Sequence, residues 1–496
     1  MASKDSMGGA TSKRGKADHA KAGDGGVRSS DDPMPDLLWA GELLGEQRDA
    51  TCSAGMKRSE GRGDGPQGLP APKTVRKLQI ILYGKAKSKP KYRFWSLYGE
   101  VQRSDVLAAA WQRVKANAGG PGVDGVTIEE LVADAEVEAA WLSALQRELK
   151  SKKYRPAPVK RVTIPKASGG FRLLGVPTLK DRVAQMAVYL VLMPIFEADF
   201  HPRSYGYRPK RSARDAVEEI REGLRTGRTE VVDADLTQFF DRIPHRQLMR
   251  LVARRVSDGS VLKLIKAWLR APILEENESG ARRLAVNPCG TPQGGVISPL
   301  LANIYLNPLD HAVNENSGPQ PQMIRYADDL VILCPPGKGQ ETKERLARWL
   351  QAKGLSLNEK KTQVVNNRES GFEFLGFSFR WQKSSKGTNY LRTEPSEAAK
   401  QSLRDKVWEL TQRKCTWRAQ GEVVREINQV TRGWSNYFAL AHYQRTFGQM
   451  NYFVAKRLRR WLWRKHGSPT GQYKRWPDET LFESYGLYKM QTASYN

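Results

Sequence analysis

The spacing of apolar positions changes along this chain from every second residue to every third or fourth. In the stretch 159–177, apolar and polar residues alternate on both sides of Ser168–Gly170, which predicts two strands joined by a turn. A long apolar run over 183–196 follows and predicts the buried core of a helix at about 179–198. That run is too short to cross a bilayer, so we expect a packed helix and no membrane partner.

Two later stretches predict strands that end on acidic residues. The first, "EVVDADLTQFF" (230–240), is a buried strand that runs into a helix or turn. The second, "IRYADDLVIL" (324–333), places Asp328 and Asp329 between two apolar strands. Because Asp is common in surface turns, the second stretch alone indicates only a hairpin tip.

Helical periodicity dominates the rest of the chain. It covers residues from about 74 to 118, a charged segment at 340–353 and three amphipathic segments beyond 396. An aromatic hairpin strand at 372–380 separates the last two groups. Residues 1–70 lack apolar periodicity and are rich in Gly, Ser, Lys and Asp, which predicts a disordered polar leader.

The composition favours a nucleic-acid partner. The chain of 496 residues carries 81 Lys and Arg against 53 Asp and Glu, a formal net charge of +28, beside 13 Trp and 17 Tyr. Such a surplus is the footprint of polyanion binding, and aromatic faces can stack on bases. Four scattered cysteines without a CxxC pair argue against a zinc module or a disulfide framework. Since the N-terminus has no signal peptide, we expect a cytoplasmic protein.

The two acidic strand ends predict a metal site if their strands are neighbours in one sheet. Asp235 would then meet the pair Asp328–Asp329. Clustered carboxylates repel one another unless a cation neutralises them, and hard oxygen ligands beside a phosphate substrate favour Mg²⁺. Two such ions would stabilise the attacking and leaving oxygens of phosphoryl transfer.

Several motifs around these carboxylates follow one another in the order of a known family. Besides "YADD", they are "IPKASGGFRLLGVPTLKDRVAQ", "SYGYRPKRSARDAV", "GTPQGGVISPLLANIYLNPLD", "LSLNEKKTQ", "FEFLGF" and the C-terminal "TRGWSNYF" (431–438). Over about residues 75–466 the chain resembles the reverse transcriptase/maturase encoded by bacterial group II introns. The resemblance implies an α+β right-hand polymerase, with fingers and an antiparallel palm sheet, followed by an all-α thumb or maturase domain.

This resemblance implies a division of the chain. Residues 71–229 would form an N-terminal extension and fingers, 230–395 the palm with finger insertions, and 396–466 the helical thumb. Residues 467–496 would be a short tail, because no clustered Cys or His suggests the endonuclease that many members carry.

The resemblance also assigns catalytic roles. Asp235 and Asp328 would hold two Mg²⁺ ions, with Mn²⁺ as a substitute and with Asp329 supporting them. Phe240 matches the position that packs under the nucleotide sugar, although a core aromatic is an alternative. Lys361 matches a lysine that protonates the leaving pyrophosphate, although the adjacent Lys360 and an ordinary surface lysine are alternatives.

Nucleotide contacts are implied on two loops. Lys166 and Arg172 match fingertip residues that clamp the triphosphate of the incoming dNTP, unless they only decorate a solvated hairpin. Gln293, Gly294 and Gly295 match a loop that lies against nucleotide and template. The two glycines would let the backbone approach closely, although an ordinary turn would use them too.

The expected partners are nucleic acids: an RNA template with a DNA primer, the parent group II intron RNA and a DNA target. The candidate RNA contacts are basic residues of the hairpin and of the last thumb helix, namely Lys160, Arg161, Lys456, Arg457, Arg459 and Arg460. A basic face on a packed helix is the alternative for the thumb residues. The oligomeric state is open, with a homodimer as one option.

Three functions remain open at this level. The first is an RNA-directed DNA polymerase that also assists intron splicing and mobility. The second is a splicing-only maturase, against which the intact Asp235, Asp328 and Asp329 argue. The third is a reverse transcriptase recruited to DNA repair or phage defence.

Overall fold

The computed structural model describes residues 72–165, 171–276, 282–315, 320–440, 442–467 and 471–491. The predicted leader 1–70 therefore lies outside the described residues, and so does the hairpin turn at 168–170. None of the helices in these ranges combines the length and the apolar character that a bilayer crossing requires.

Within the described residues, five helices precede the first strand, and the first three lie in the stretch from about 74 to 118 where helical periodicity is predicted. They are α1 (Lys73–Ser88), α2 (Tyr98–Val101), α3 (Ser104–Ala116), α4 (Ile128–Val132) and α5 (Ala135–Lys150). Thr127 and Glu130 form a reciprocal capping box at the start of α4. Asp134 caps α5 by accepting a hydrogen bond from the backbone N–H of Glu136.

A buried helix organises the N-terminal half. Helix α6 (Leu179–Glu197) is apolar on all sides, and every residue from Val183 to Phe196 is buried. Thr178 caps its start by accepting from the backbone N–H of Asp181. The predicted helix at 179–198 is confirmed, and its uniform apolarity reflects packing against neighbours on every side.

The first sheet is mixed and has the order β2-β1-β4-β5. Strands β1 (Val159–Pro165) and β2 (Phe171–Val176) form the predicted antiparallel hairpin. Strand β4 (Ile273–Glu276) runs parallel to β1 and pairs with β5 (Arg282–Ala285).

The second sheet is antiparallel throughout and has the order β6-β7-β3-β8. Its strands are β3 (Glu230–Ala234), β6 (Gln322–Tyr326), β7 (Asp329–Cys334) and β8 (Gln363–Asn366). The helices in this stretch of the chain are α7 (Ala213–Arg225), α8 (Phe239–Arg242), α9 (His245–Val252), α10 (Gly259–Leu269), α11 (Ser298–Asn314) and α12 (Gly339–Ala352). Helices α7, α11 and α12 contact the sheet. The apolar runs in β3 and β7 are buried because helices cover this sheet.

A third, three-stranded sheet introduces the C-terminal helices. Its strands are β9 (Phe372–Phe374), β10 (Phe377–Lys383) and β11 (Asn389–Pro395). The helices are α13 (Glu397–Leu410), α14 (Gln420–Phe438), α15 (Gln444–His466) and the short α16 (Gln472–Arg475). The α+β class, with an antiparallel sheet followed by a helical domain, is therefore confirmed.

The C-terminal segment 471–491 packs against the helical domain. Beyond α15, Trp476, Leu481, Leu487 and Met490 are buried in the same apolar cluster as α14 and α15. Because these side chains leave water together with the thumb helices, the segment 471–491 belongs to the helical domain's core.

Candidate active site

The register of two neighbouring strands brings the predicted acidic residues together. Strands β3 and β7 are antiparallel, and their last paired residues are Ala234 and Leu330. One step further, Asp235 leaves β3 just where Asp329 begins β7. Asp328 lies beside them in the two-residue turn between β6 and β7. The three carboxylates thus share one edge of the sheet.

A fourth carboxylate adds to this cluster. Asp233 lies two residues before Asp235, so both side chains project from the same face of β3. Gln363 on β8 donates a hydrogen bond to Asp233 Oδ2 at 3.3 Å. Burial and the nearby Asp235 raise the pKa of Asp233 against this hydrogen bond. Sequence reasoning overlooked Asp233, although the alternation in "VVDAD" could have indicated it.

The crowding is strongest at Asp329. Its side chain is open to solvent on one side. Even so, desolvation by the surrounding fold, followed by the charges of Asp328, Asp235 and Asp233, raises the pKa of Asp329 to about 7. Lys361 opposes this shift. A bound cation would favour the charged form of a carboxyl whose pKa is raised by desolvation and by neighbouring carboxylates.

Asp235 is held by the loop that follows α12. The Asn358 side-chain amide donates to Asp235 Oδ2 at 2.9 Å, and the Asn358 backbone N–H donates to the Asp235 carbonyl at 2.8 Å. The Lys361 ammonium lies 3.6 Å from Asp235 Oδ1. Asn358, which sequence reasoning also missed, belongs to the quoted "LSLNEKKTQ" motif. This loop therefore orients Asp235 and places Lys361 beside it.

The donor set fits a hard divalent cation in its chemistry. The carboxylates of Asp235, Asp328 and Asp329 supply only oxygen, as Mg²⁺ and Mn²⁺ prefer. Within the described residues, no three Asp, Glu, His or Cys side chains lie close enough to form a preassembled metal site. Mg²⁺ in general takes one or two protein carboxylates and completes its coordination with water and substrate phosphates.

A buried arginine supports the acidic turn. The Arg325 guanidinium donates to Asp310 Oδ1 at 2.8 Å, to Asn303 Oδ1 at 2.8 Å and to Ser204 Oγ at 2.7 Å. It also donates to the carbonyl of Ala327 at 2.7 Å, within the turn itself. Arg325 and Asp310 are 0% and 1% exposed. The buried Arg325–Asp310 ion pair thus holds the backbone of the turn through the Ala327 carbonyl.

A glycine packs against the same turn. Ala327 has a φ of +59°, a conformation that ordinary side chains rarely adopt. A Cβ on Gly206 would lie 2.2 Å from the backbone nitrogen of Ala327, so only glycine fits there. The Asn303 side chain donates to the Gly206 carbonyl at 2.8 Å. This contact explains the glycine in the "SYGYRP" motif.

Phe240 lies between the acidic edge and the loop with the two glycines. Its ring is half-buried and meets Tyr207 edge-on, with 6.4 Å between ring centroids. Its carbonyl accepts a hydrogen bond from the backbone N–H of Thr291 at 2.7 Å. The neighbouring Phe239 is 2% exposed and belongs to the core. Phe240 is therefore the phenylalanine of this pair with an accessible ring.

The Gln293–Gly295 loop lies against strand β2. The Gly175 backbone N–H donates to the Gln293 carbonyl at 2.6 Å. Gly294 has a φ of +105°, and a Cβ there would lie 2.5 Å from the Gly175 carbonyl oxygen. The Gln293 side chain donates to Asp241 Oδ2 at 3.3 Å. The structure therefore brings this loop to both the hairpin and the Phe240 segment.

The hairpin residues are placed unevenly. Lys166 lies outside the described residues. Arg172 lies on β2, and its backbone pairs with that of Ile164 on β1. Lys160 is half-buried, and Arg161 forms an ion pair with Glu275 of β4. Arg161 thus also ties the hairpin to its neighbouring strand.

The four residues of α15 predicted to contact RNA differ in their surroundings. Lys456 and Arg460 are exposed. Arg457 donates to the Thr411 hydroxyl at 3.1 Å. Arg459 is buried, donates to the Trp476 carbonyl at 2.7 Å and pairs with Asp478. The guanidinium of Arg459 is therefore engaged inside the fold, because it ties α15 to the C-terminal tail, and is not presented to a partner.

Comparison with known proteins bears on both halves of the chain. Residues 164–379 match the reverse transcriptase (RNA-dependent DNA polymerase) family, and residues 400–478 match the group II intron, maturase-specific domain. Protein YkfC of Escherichia coli (strain K12) is 34% identical over 366 residues, which cover 66% of this chain and 94% of YkfC. The group II intron-encoded protein LtrA of Lactococcus lactis is 27% identical over 448 residues, which cover 73% of this chain and 72% of LtrA.

Among solved structures, telomerase from Candida albicans in complex with a fragment of telomeric RNA aligns with a TM-score of 0.38 and 13% identity. The alignment covers 68% of this chain and 66% of that chain.

Proposed function

The chain belongs to the family of group II intron-encoded reverse transcriptases with a maturase domain, which serve intron splicing and mobility, and we propose that it catalyses RNA-directed DNA synthesis. The observation that carries the proposal is the placement of Asp235, Asp328 and Asp329 at the same end of the adjacent antiparallel strands β3 and β7. On this basis we assign residues 71–229 to the N-terminal extension and fingers, 230–395 to the palm and 396–466 to the thumb.

Asp235, Asp328 and Asp329 would hold two Mg²⁺ ions, with Mn²⁺ as a substitute. When bound, such ions lower the pKa of the attacking hydroxyl and neutralise phosphate charge. The chain's own residues orient the ligands: Asn358 fixes one oxygen of Asp235, and Arg325 fixes the turn that carries Asp328. A ligand and a turn that are already held in place limit the reorganisation needed during the reaction.

Other residues would bind and orient the nucleotide. Lys166 and Arg172 would contact the triphosphate, while Gln293, Gly294 and Gly295 would lie against the base pair. Phe240 would pack under the sugar and exclude a 2′-hydroxyl, which its accessible ring supports. The Lys361 ammonium, 3.6 Å from Asp235, would donate a proton to the leaving pyrophosphate.

The proposed partners are an RNA template paired with a DNA primer, dNTPs, the parent intron RNA and a DNA target. The net charge of +28 supports binding to phosphate backbones. Lys160, Lys456 and Arg460 are candidate RNA contacts at the surface. We further propose a bacterial origin, as for the E. coli and L. lactis relatives, and action in the cytoplasm.

The proposal is tested by primer extension on an RNA template with dNTPs. The wild-type chain should extend the primer with Mg²⁺ or Mn²⁺ and stop when EDTA is added. Asp328→Asn should lower the rate by on the order of 10³-fold, since the amide keeps the shape of the side chain and removes its charge. Synthesis by Asp328→Asn at the wild-type rate would refute the site assignment.

Splicing of the parent intron RNA provides the second readout. The maturase role requires RNA binding but not DNA synthesis, so Asp328→Asn should still promote splicing. If the wild-type chain promotes splicing but extends no primer, the splicing-only alternative holds instead.

A further inference from the structure

Three helices border an open cavity of about 360 Å³ that the proposed chemistry does not use. It lies between α9, α11 and α12. Its lining consists of Gln247, Arg250, Leu251, Arg254, Tyr305, Pro308, Trp349, Ala352 and Lys353. Three of these residues are cations and none is acidic, so the cavity is built to receive negative charge.

The cations of the cavity lack acidic partners within the described part of the chain. No ion pair forms between a described acidic residue and Arg250, Arg254 or Lys353. Arg242, Arg246, Arg250 and Arg254 recur every four residues, and all are exposed. Of these four, Arg246 and Arg250 lie within α9, and like charges four residues apart destabilise a helix, so an anionic ligand would relieve their repulsion.

The cavity also contains the ring of Trp349, on which a base could stack, and neighbouring side chains that are held by hydrogen bonds. Trp349 is half-buried, and the Lys353 ammonium lies 5.6 Å from its ring centroid. The Tyr305 hydroxyl lies 2.9 Å from Gln247 Oε1 and also contacts the Lys353 carbonyl. These hydrogen bonds tie the three helices together, so the walls are preformed.

Helix α11 separates this cavity from the acidic turn. Asn303 and Asp310 of α11 bind Arg325 beneath the turn, whereas Tyr305 and Pro308 face the cavity. Tyr305 follows Asn303 by two residues, and Pro308 precedes Asp310 by two, which is about 200° around a helix. The cavity therefore opens on the opposite side of α11 from the candidate active site.

We propose that this cavity binds an unpaired nucleotide of a structured RNA, with its phosphate between Arg250 and Arg254 and its base stacked on Trp349. A volume of about 360 Å³ falls at the lower end of the range for small-ligand sites and is too small for a duplex. Guanidinium groups bind phosphate in two-pronged fashion, and unstacked RNA bases pack on aromatic rings. The proposal rests on the proposed function only in taking RNA as the ligand.

The test compares two RNA probes: a hairpin with an unpaired loop and a blunt duplex of equal length. The variants are Arg250→Gln/Arg254→Gln, which changes exposed side chains, and Trp349→Leu, which removes the ring. The matched control is Lys383→Gln/Lys386→Gln, which removes two exposed cations from the strands and turn between β10 and β11. Primer extension on a short template is measured for each.

Both cavity variants should bind the hairpin about tenfold more weakly, with duplex binding changed less than about twofold. For the arginine variant, the dependence of log affinity on log salt should flatten by about 1.4, since two contacts to single-stranded phosphate are lost. Primer extension should remain at the wild-type rate.

Unchanged hairpin binding in the arginine variant would overturn the proposal, as would an equal loss in the lysine control or with the duplex. Photo-crosslinking of the hairpin keeps the test decisive if Trp349→Leu is unstable: the wild-type crosslinks should map to peptides that contain Trp349 or Arg250. Crosslinks confined to other segments would also overturn it. Failure of the wild-type chain to extend primers would instead count against the proposed function.

Discussion

Arg325 and Asp310 form an ion pair that is almost completely withdrawn from solvent, and the same guanidinium holds the carbonyl of Ala327 beside Asp328. Every N–H direction of this side chain is used, by Asp310, Asn303, Ser204 and Ala327. The turn that carries Asp328 thus depends on a buried guanidinium that holds its backbone.

This arrangement predicts separate effects on stability and activity. Arg325→Met should destabilise the fold by about 3–5 kcal/mol, because Asp310 is left buried and unpaired. The double variant Arg325→Met/Asp310→Leu should recover much of that stability, since no buried charge remains. Primer extension should stay low in both, because Ala327 has lost its donor.

Denaturant unfolding and primer extension measured on the same preparations check this prediction. Full recovery of DNA synthesis in the double variant would show that Arg325 contributes only stability and does not position the turn.

Lys361 and Lys360 form a natural matched pair for testing proton donation. Lys361 lies 3.6 Å from Asp235, and both lysines are exposed. Lys361→Gln should lower the turnover rate about 10²–10⁴-fold, the usual contribution of a general acid, with little change in dNTP affinity. Lys360→Gln should leave both unchanged. Single-nucleotide incorporation kinetics distinguish the two, and equal effects would assign a shared electrostatic role instead.

Substitutions at Phe240 and Phe239 should have different effects, the first on selectivity for the nucleotide sugar and the second on the stability of the fold. Phe240→Ala opens space beside an accessible ring, so ribonucleotide incorporation should rise roughly 10–200-fold relative to deoxyribonucleotide incorporation. Phe239→Ala removes a ring that is 2% exposed and should cost about 3–5 kcal/mol of stability without changing sugar selectivity. Competing incorporation of the two nucleotide types measures the ratio. An unchanged ratio in Phe240→Ala would remove the sugar-gate role.

Arg459 and Arg460 are adjacent on α15 but differ in surroundings. Arg459→Ala leaves Asp478 without its partner and loses the bond to Trp476, so the thumb should lose stability by about 1–3 kcal/mol. Arg460→Ala should leave stability unchanged and weaken RNA binding more at low than at high salt. Thermal unfolding and RNA titration separate the two. A loss of RNA affinity in Arg459→Ala without loss of stability would contradict this division.

Much of the architecture could be predicted from local patterns. The long apolar run became α6 and the alternating stretches became β1 and β2, because local burial follows the period of apolar positions. The motif order also indicated the family. Lys166 and the turn at 168–170, by contrast, fall outside the described residues, so the fingertip assignments remain predictions.

The sequence by itself determined which residue types could form a phosphoryl-transfer site and the strands that carry them. Only the tertiary structure decided their neighbours. Asn358 joins Asp235 through a loop that returns across 123 positions of chain, and strand pairing brings Asp329 beside both, a proximity that no local period encodes. Burial likewise separated Arg459 from Arg460 and Phe239 from Phe240, because exposure depends on which distant segments cover a side chain.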